Sequence, residues 1–415
     1  MHFPDNKSNY KVLACQLGAR EHYLVARCFA KSGNLSCLVT DFWRPAWLSK
    51  RWPTRYLPKF ISSAIARHHP ELESQRVVSF PILGVMRYVL ALANKLEKNE
   101  SRIAANFARL IKRLEINNNI FFGYSYDSLE LLRQENAKGS FKILCQTDPG
   151  PAHYRMLEEE GSLWPEYALP GVPQPMEDRA ERLKQEWDIA DVIIVNSDWA
   201  KTSIVSEGAP ISKIEVLPLA YVPELARASR HRNQGRRKLK VLWLGNVALG
   251  KGIHYLIEAA KLIIREPVEF VIGGSIHIPQ AIIRGSPKNI KWLGQIPRNI
   301  TSELYQDCDV FIFPTLSDGF GITQLEAMAH GLPVITTPNC GLVVKENVTG
   351  FVVPPRDAKL LSHAILRFVH NPGLSTQMSP NCQDAVKGFS VDVYNSRILS
   401  IIENRVAAIL GKHGS

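Results

Sequence analysis

VFIFPTLSDGFGITQLEAMAHGLPVITT, residues 310–337, contains a strand, a glycine-rich loop, a helix and a second strand in immediate succession. The apolar run 310–314 predicts the first strand, residues 322–330 predict a helix that ends before Gly331, and residues 334–337 predict the second strand. This order is typical of a parallel sheet covered by helices. Loop 318–321 is therefore expected at the carboxyl edge of the sheet, where open α/β folds bind ligands.

The same alternation extends over most of the chain. In the second half we predict further strands at 240–245, 268–273 and 290–294, with helices at 253–264 and 302–308, which indicates a doubly wound Rossmann-type domain. In the first half, strands are predicted at 10–15, 36–40, 120–123, 142–146 and 192–196. They indicate a second Rossmann-type domain, and the length of 415 residues agrees with two domains.

The charge of the chain is concentrated near its amino terminus. The formal net charge is +11, and residues 1–113 contain 19 basic and 7 acidic side chains. Residues 42–113 form a basic insertion with 14 basic and 4 acidic residues, and it also contains Trp43, Trp47, Trp52, Tyr56 and Phe60. Such a composition suits an anionic membrane surface, and a solvated basic face is the alternative. No nucleic-acid module is recognised, so we expect no nucleic-acid partner.

The cysteines and the hydropathy pattern indicate the cellular compartment in which the protein is expected. Seven cysteines are scattered without a CxxC pair, which argues against a disulfide framework or a structural zinc site. The first ten residues lack the apolar core of a signal peptide, and no window reaches the roughly 18 apolar residues of a membrane span. We therefore expect a cytoplasmic protein, peripheral on the inner face of the membrane if the basic insertion docks there.

Two segments of the second half carry groups suited to a phosphorylated sugar. Glycines in loop 318–321 let backbone amides approach a ligand, and the helix that follows offers free N–H groups to a phosphate. Two carboxylates on this segment can accept hydrogen bonds from vicinal hydroxyls, and a lysine in the glycine-flanked loop 245–252 suits a phosphate. The candidate donor-binding residues here are Lys251, Asp318, Gly319, Phe320, Gly321, Ile322 and Glu326.

The segment SDGFGITQLEAMAHGLPVI resembles the signature of retaining glycosyltransferases of family 4, which have the GT-B fold of two facing Rossmann domains. In that family, two glutamates separated by seven residues contact the transferred sugar and the ribose of the nucleotide-sugar; they map to Asp318 and Glu326. The segment VLWLGNVALGKG is similar to the family strand and the basic pair that binds the donor diphosphate. Lys251 matches the lysine, and Asn246 stands where many members have arginine.

The resemblance in the first half is looser. The loop around Gly18 looks like the glycine-containing loop that approaches the donor phosphates. The segment KILCQTDPGP, residues 142–151, is similar to the family strand that ends in His-Asp beside the sugar and the acceptor. Asp148 matches the aspartate, which makes it a catalytic candidate with Lys251 and Asp318, and His153 or Arg155 could assist it. As a turn former before Pro149, Asp148 also has a purely structural explanation.

The resemblance implies the domain boundaries. We predict an amino-terminal acceptor-side domain over residues 1–225, a basic linker over 226–239 and a nucleotide-sugar-binding domain over 240–388. A carboxyl-terminal helix over 389–415 is similar to the family helix that crosses back to the first domain.

The motifs and the fold admit four other interpretations. Gly245, Gly250 and Lys251 form most of a Walker A loop, but Gly252 replaces its serine or threonine. The Asp307-Cys308-Asp309 segment has the form of a metal-binding DxD motif, yet it joins a predicted helix to a buried strand, so we predict no metal site. An isomerase similar to nucleotide-sugar 2-epimerases, or a non-catalytic protein that binds nucleotide-sugars, would have the same fold.

The resemblance implies a retaining, metal-independent glycosyltransferase without a cofactor. Its donor would be a nucleotide-diphospho-sugar, and its acceptor a glycan, a lipid-linked molecule or another hydroxyl compound. Such an activity is expected in the synthesis of cell-surface polysaccharides or glycoconjugates.

Overall fold

A computed structural model describes residues 10–44, 67–93, 95–167, 177–222 and 238–413. These residues form two parallel β-sheets, one from each half of the chain, and helices cover both. Each sheet has the strand order of a doubly wound fold, in which the chain reverses direction across the sheet beside its first strand. The predicted α/β class follows from this order.

The first sheet has seven strands in the order β3-β2-β1-β4-β5-β6-β7. Every neighbouring pair is parallel. The strands are β1 (Val12–Gln16), β2 (Leu35–Thr40), β3 (Val77–Ser79), β4 (Ile120–Tyr124), β5 (Phe141–Gln146), β6 (Val192–Val195) and β7 (Ile214–Val216).

The second sheet has six strands in the order β10-β9-β8-β11-β12-β13. The strands at 310–313 and 334–336 are completely buried, as expected for strands covered on both faces. The strands are β8 (Leu239–Leu244), β9 (Val268–Gly273), β10 (Ile290–Gly294), β11 (Val310–Phe313), β12 (Val334–Thr336) and β13 (Gly350–Val352).

The α-helices lie between these strands in the chain. In the first half they are α1 (Leu24–Lys31), α2 (Pro81–Leu92), α3 (Leu96–Ile111), α4 (Leu129–Lys138), α5 (Pro151–Leu163), α6 (Glu177–Ile189) and α7 (Asp198–Ser206). In the second half they are α8 (Ile253–Leu262), α9 (Gln280–Arg284), α10 (Arg298–Asp307), α11 (Thr323–Ala329), α12 (Ala358–His370), α13 (Leu374–Val386) and α14 (Val391–His413).

Helix α14 belongs to the second half of the chain but packs on the first sheet. Its residues Tyr394, Ile398 and Ile402 are buried in the same cluster as β1, β4 and α1. Lys31 on α1 also pairs with Asp392 at 2.8 Å. The helix therefore connects the end of the chain to the amino-terminal domain.

The largest difference from the sequence prediction lies in the basic insertion. It contributes the edge strand β3, which pairs with β2 and was not predicted. Trp43 packs edge-on against Tyr23 with ring centroids 5.1 Å apart, so this tryptophan belongs to the packed domain. The other aromatic residues predicted for membrane contact, Trp47, Trp52, Tyr56 and Phe60, lie outside the described residues. In the described part of the chain, no helix combines the length and hydropathy needed to cross a membrane.

Candidate functional site

A cleft of about 290 Å³ opens between the carboxyl edges of the two sheets. It lies beside β1 in the first sheet and beside β8 in the second, where the order of strands reverses, and this is where doubly wound folds bind ligands. The amino-terminal domain contributes Glu21, Thr147 and Asn196. Leu219, which precedes the linker, also lines the cleft and packs against the core of the carboxyl-terminal domain. That domain contributes Trp243, Leu244, Gly245, Lys251, Phe313, Asp318, Phe320, Gly321, Ile322 and Thr323.

Lys251 and Asp318 meet on the carboxyl-terminal wall as a salt bridge. They come together because β8 and β11 are neighbours, which places the loops that follow them side by side. The other carboxylate oxygen of Asp318 accepts a hydrogen bond from the backbone N–H of Phe320 at 3.0 Å. The two predicted polar groups therefore form one site, in which each neutralises the other.

The glycines of these loops permit close backbone contacts. A Cβ at Gly319 would lie 2.0 Å from the carbonyl oxygen of Thr147 in the other domain, so glycine here allows the two domains to touch. Gly252 has φ +69°, and a Cβ there would lie 1.8 Å from the carbonyl oxygen of Pro314. No serine or threonine side chain fits at this position, which excludes the Walker A interpretation.

Glu326 lies one turn along α11 from Ile322 and Thr323, which line the cleft, but it is not itself among the lining residues. The Tyr305 hydroxyl donates to its Oε2 at 2.8 Å. Burial raises the pKa of Tyr305 well above its usual value, and the Glu326 carboxylate raises it further, so the hydroxyl stays a donor. Sequence reasoning missed Tyr305 because only packing places α10 against α11.

The glycine loop after β1 contributes Glu21 to the amino-terminal wall, whereas Gly18 is not among the lining residues. Gly18 donates its N–H to Asp41 Oδ1 at 2.8 Å, and Arg87 holds Asp41 at 2.6 Å. Glu21, three residues further on, has φ 51° and lines the cleft. Part of Glu21 is exposed, but its Oε2 is enclosed without a hydrogen-bond partner among the described residues. Burial raises the pKa of Glu21 to about 7, while Arg20 opposes the shift. Sequence reasoning assigned no role to Glu21.

Asp148 lies in the turn between β5 and α5 rather than on the cleft lining. Its Oδ1 accepts three hydrogen bonds, from the Tyr126 hydroxyl at 2.9 Å, Gln146 Nε2 at 2.7 Å and the Gly150 N–H at 2.8 Å. These bonds support the structural explanation of Asp148 as a turn former. Thr147, the residue before it, is the one that lines the cleft.

The two residues expected to assist Asp148 point to different places. His153 packs against Gly250, where a Cβ would lie 3.5 Å from its ring, so it sits beside the Lys251 loop. Burial lowers the pKa of His153, and Lys251 lowers it further, so the imidazole is neutral. Arg155 instead forms a salt bridge with Glu207 on the amino-terminal domain, away from the cleft lining.

Three other predicted positions have distinct environments. Asn246 is exposed and does not line the cleft. Asp307 accepts a hydrogen bond from the Lys240 side chain at 2.7 Å, and Asp309 accepts one from the Lys240 N–H at 2.9 Å. These contacts give both aspartates a structural role at the edge of β8. Among the residues that the structure describes, no cluster of three or more His, Cys, Asp or Glu side chains is placed to hold a metal ion.

Residues 227–385 match the family model of glycosyl transferases group 1. Over 179 residues the chain is 26% identical to the amylovoran biosynthesis glycosyltransferase AmsK of Erwinia amylovora, covering 40% of this chain and 44% of that protein. Over 156 residues it is 29% identical to the capsular polysaccharide biosynthesis glycosyltransferase CapM of Staphylococcus aureus, covering 35% and 40%. The matches span less than half of these relatives. The family model and these relatives support a place for the chain in the glycosyltransferase superfamily. Membership of family 4 remains a prediction.

Solved structures resemble the whole chain. Sucrose-phosphate synthase from Thermosynechococcus elongatus matches with a TM-score of 0.66 and 18% identity, covering 96% of this chain and all of that one. HepE from Anabaena, in complex with UDP-glucose, matches with a TM-score of 0.59 and 16% identity, covering 95% of this chain and all of that one. These similarities confirm the predicted fold of two facing Rossmann-like domains.

Proposed function

We propose that the protein is a retaining, metal-independent glycosyltransferase of family 4 that uses a nucleotide-diphospho-sugar donor. The observation that carries the proposal is the meeting of Lys251 and Asp318 in a cleft lined by both domains. One group is a cation suited to a diphosphate, and the other is a carboxylate suited to sugar hydroxyls. The similarity of residues 227–385 to glycosyl transferases group 1 supports the same reaction.

The proposed chemistry is mainly electrostatic. When the bond between the sugar and the diphosphate breaks, negative charge develops on the diphosphate, and Lys251 stabilises it. Asp318 accepts hydrogen bonds from the sugar, and Glu326 accepts them from the ribose. The acceptor hydroxyl attacks from the face that the diphosphate leaves and gives its proton to the departing diphosphate oxygen, so no carboxylate of the protein acts as a nucleophile. Contact between the domains at Gly319 and Thr147 keeps out water that would hydrolyse the donor.

The names of the relatives suggest a donor and a pathway. HepE was solved with UDP-glucose, and AmsK and CapM are named for amylovoran and capsular polysaccharide biosynthesis. We propose a UDP-sugar as the first donor to test and a polysaccharide or lipid-linked glycan as the acceptor.

The acceptor side of the proposed enzyme contacts an anionic membrane. Helix α2 exposes five large apolar side chains at helical spacing, from Met86 at 37% exposure to Ile82 at 88%, together with Val85, Val89 and Leu92. It lies within the basic insertion, whose positive charge complements anionic lipid headgroups. Such a surface would bring the cleft close to a lipid-linked acceptor.

One experiment tests the central proposal. The protein is incubated with UDP-, GDP-, dTDP- and ADP-sugars, and thermal stabilisation and slow donor hydrolysis are measured. We expect one class of donor to bind and to be hydrolysed with release of the nucleoside diphosphate. A nucleotide-sugar product with altered stereochemistry would instead indicate an isomerase, and binding without turnover would indicate a binding protein.

Two variants link this activity to the cleft. Replacing Lys251 or Glu326 by alanine removes a charged contact to the donor, and such contacts contribute about 1.5 to 3 kcal/mol. Donor turnover should therefore fall about tenfold or more, while the circular dichroism spectrum is unchanged. Lys240→Ala is the matched control, because this lysine pairs with Asp307 outside the cleft. Variants of Lys251 and Glu326 within twofold of wild type would remove these residues from the site.

A further inference from the structure

The carboxylate of Glu326 is held on one side by helix α10. Tyr305 on α10 donates its hydroxyl hydrogen to Oε2 at 2.8 Å. Oε1 accepts no hydrogen bond from any described residue. The carboxylate is therefore fixed in direction and retains one oxygen as an acceptor.

Tyr305 is itself fixed in place by packing. Its side chain is buried, and its ring stacks on His330 with centroids 5.0 Å apart and an interplanar angle of 19°. The Phe311 ring of β11 lies 5.9 Å away on a second side. A buried phenol between two rings has little rotational freedom, so its hydroxyl can restrict Glu326 to one rotamer.

A second chain of hydrogen bonds restrains the backbone of Glu326. His330 Nδ1 lies 2.8 Å from the Glu326 carbonyl oxygen, which can only accept, so Nδ1 carries the hydrogen. Nε2 then accepts from the Ser302 hydroxyl at 3.0 Å, and Gln306 donates to the Ser302 oxygen at 3.3 Å. Helix α10 thus restrains Glu326 through its main chain as well as its side chain.

We infer that Tyr305 is a positioning residue for nucleotide recognition, because it aims the free oxygen of Glu326 at the ribose hydroxyls of the donor. This inference rests on the proposed function, which assigns Glu326 to the ribose. Tyr305 does not touch the nucleotide. Its contribution is to keep the Glu326 carboxylate in the one orientation that accepts hydrogen bonds from the ribose. The nucleotide then does not have to order the Glu326 side chain when it binds, and the entropic cost of binding is lower.

The test compares two nucleotides that differ only in the ribose hydroxyls. Binding is measured by calorimetry for the nucleoside diphosphate that wild type binds most tightly among UDP, GDP and ADP, and for its 2′,3′-dideoxy analogue. The variant is Tyr305→Phe, which removes one oxygen and keeps the ring. Tyr10→Phe, at a buried tyrosine of the other domain, controls for the general cost of losing a hydroxyl.

We expect Tyr305→Phe to weaken the ribonucleotide about tenfold and the dideoxy analogue less than twofold, while Tyr10→Phe changes neither. A merely structural role would weaken both nucleotides equally, and that result would overturn the inference. Unchanged binding of the ribonucleotide would also overturn it while leaving the proposed function intact. If wild type binds none of the three nucleotides, the proposed function fails and this inference fails with it.

Discussion

The salt bridge between Lys251 and Asp318 predicts that removing the aspartate charge strengthens nucleotide binding. In the structure, the Asp318 carboxylate forms a salt bridge with the Lys251 ammonium group, which the proposed mechanism assigns to the donor diphosphate. It also repels the phosphates, since both groups are anionic. Asp318→Asn keeps the shape of the side chain and the oxygen that accepts from the Phe320 N–H. UDP should therefore bind this variant more tightly than wild type.

The magnitude follows from the exposure of the pair. Two unit charges 4 Å apart interact by about 1 kcal/mol in water and about 4 kcal/mol at an effective dielectric constant of 20. The side chains of Lys251 and Asp318 are 27% and 19% exposed, so they lie between these conditions. After the partial desolvation of both groups is allowed for, we expect a gain of about 1 to 2 kcal/mol, or roughly five- to thirtyfold in affinity.

Calorimetric titration with UDP at two salt concentrations measures this effect. The difference between wild type and Asp318→Asn should shrink at high salt, because screening weakens the interaction of the charges. Donor turnover should fall in the same variant, since the asparagine binds sugar hydroxyls less strongly than the carboxylate does. Asp384→Asn, which breaks an exposed pair with Lys387, is the matched control and should change neither quantity. Equal or weaker UDP binding by folded Asp318→Asn would refute the reasoning.

Three further predictions concern metal, membrane and pH. EDTA should leave donor turnover unchanged, because Lys251 supplies the positive charge; loss of turnover that magnesium or manganese restores would contradict this. Sedimentation with phosphatidylserine vesicles should increase with the fraction of anionic lipid and decrease with salt. Val89→Glu should reduce it, whereas the control Ile211→Glu, whose exposed side chain lies far from α2 in the chain, should not. Protein that stays in the supernatant at low salt would exclude docking on the membrane. Burial raises the pKa of Glu186 to about 8, so the folded state retains a proton that the unfolded state loses above pH 4 to 5. Stability to urea should therefore fall between pH 5 and 8, by up to about 1.4 kcal/mol per pH unit, and Glu186→Gln should flatten this slope.

Much of the fold could be predicted from local patterns. The strand predicted at 268–273 coincides with β9, and the helix predicted at 253–264 coincides with α8 to within two residues. Short apolar runs and helical periodicity are properties of neighbouring residues, so a single chain displays them directly. Strand β3 was missed because it has only three half-buried residues at the sheet edge, which is too few for a pattern.

The residues of the candidate site were likewise predicted only in part. Lys251 and Asp318 were predicted because each follows a recognisable strand, and parallel strands place their following loops at one edge. Asp148 was identified through the resemblance to family 4, but the three hydrogen bonds to its Oδ1 are visible only in the structure. Glu21 was not predicted, because its position on the cleft depends on a left-handed backbone that non-glycine residues rarely adopt.

The sequence by itself determined the two parallel sheets, their helices and the loops that carry the cation and the carboxylate of the cleft. Only the tertiary structure decided that Lys251 pairs with Asp318, that Tyr305 holds Glu326, and that the carbonyl of Thr147 fills the space left by Gly319. The physical reason is the separation of these partners along the chain. Secondary structure depends on residues a few positions apart, whereas these contacts join distant segments and form only when whole layers pack together.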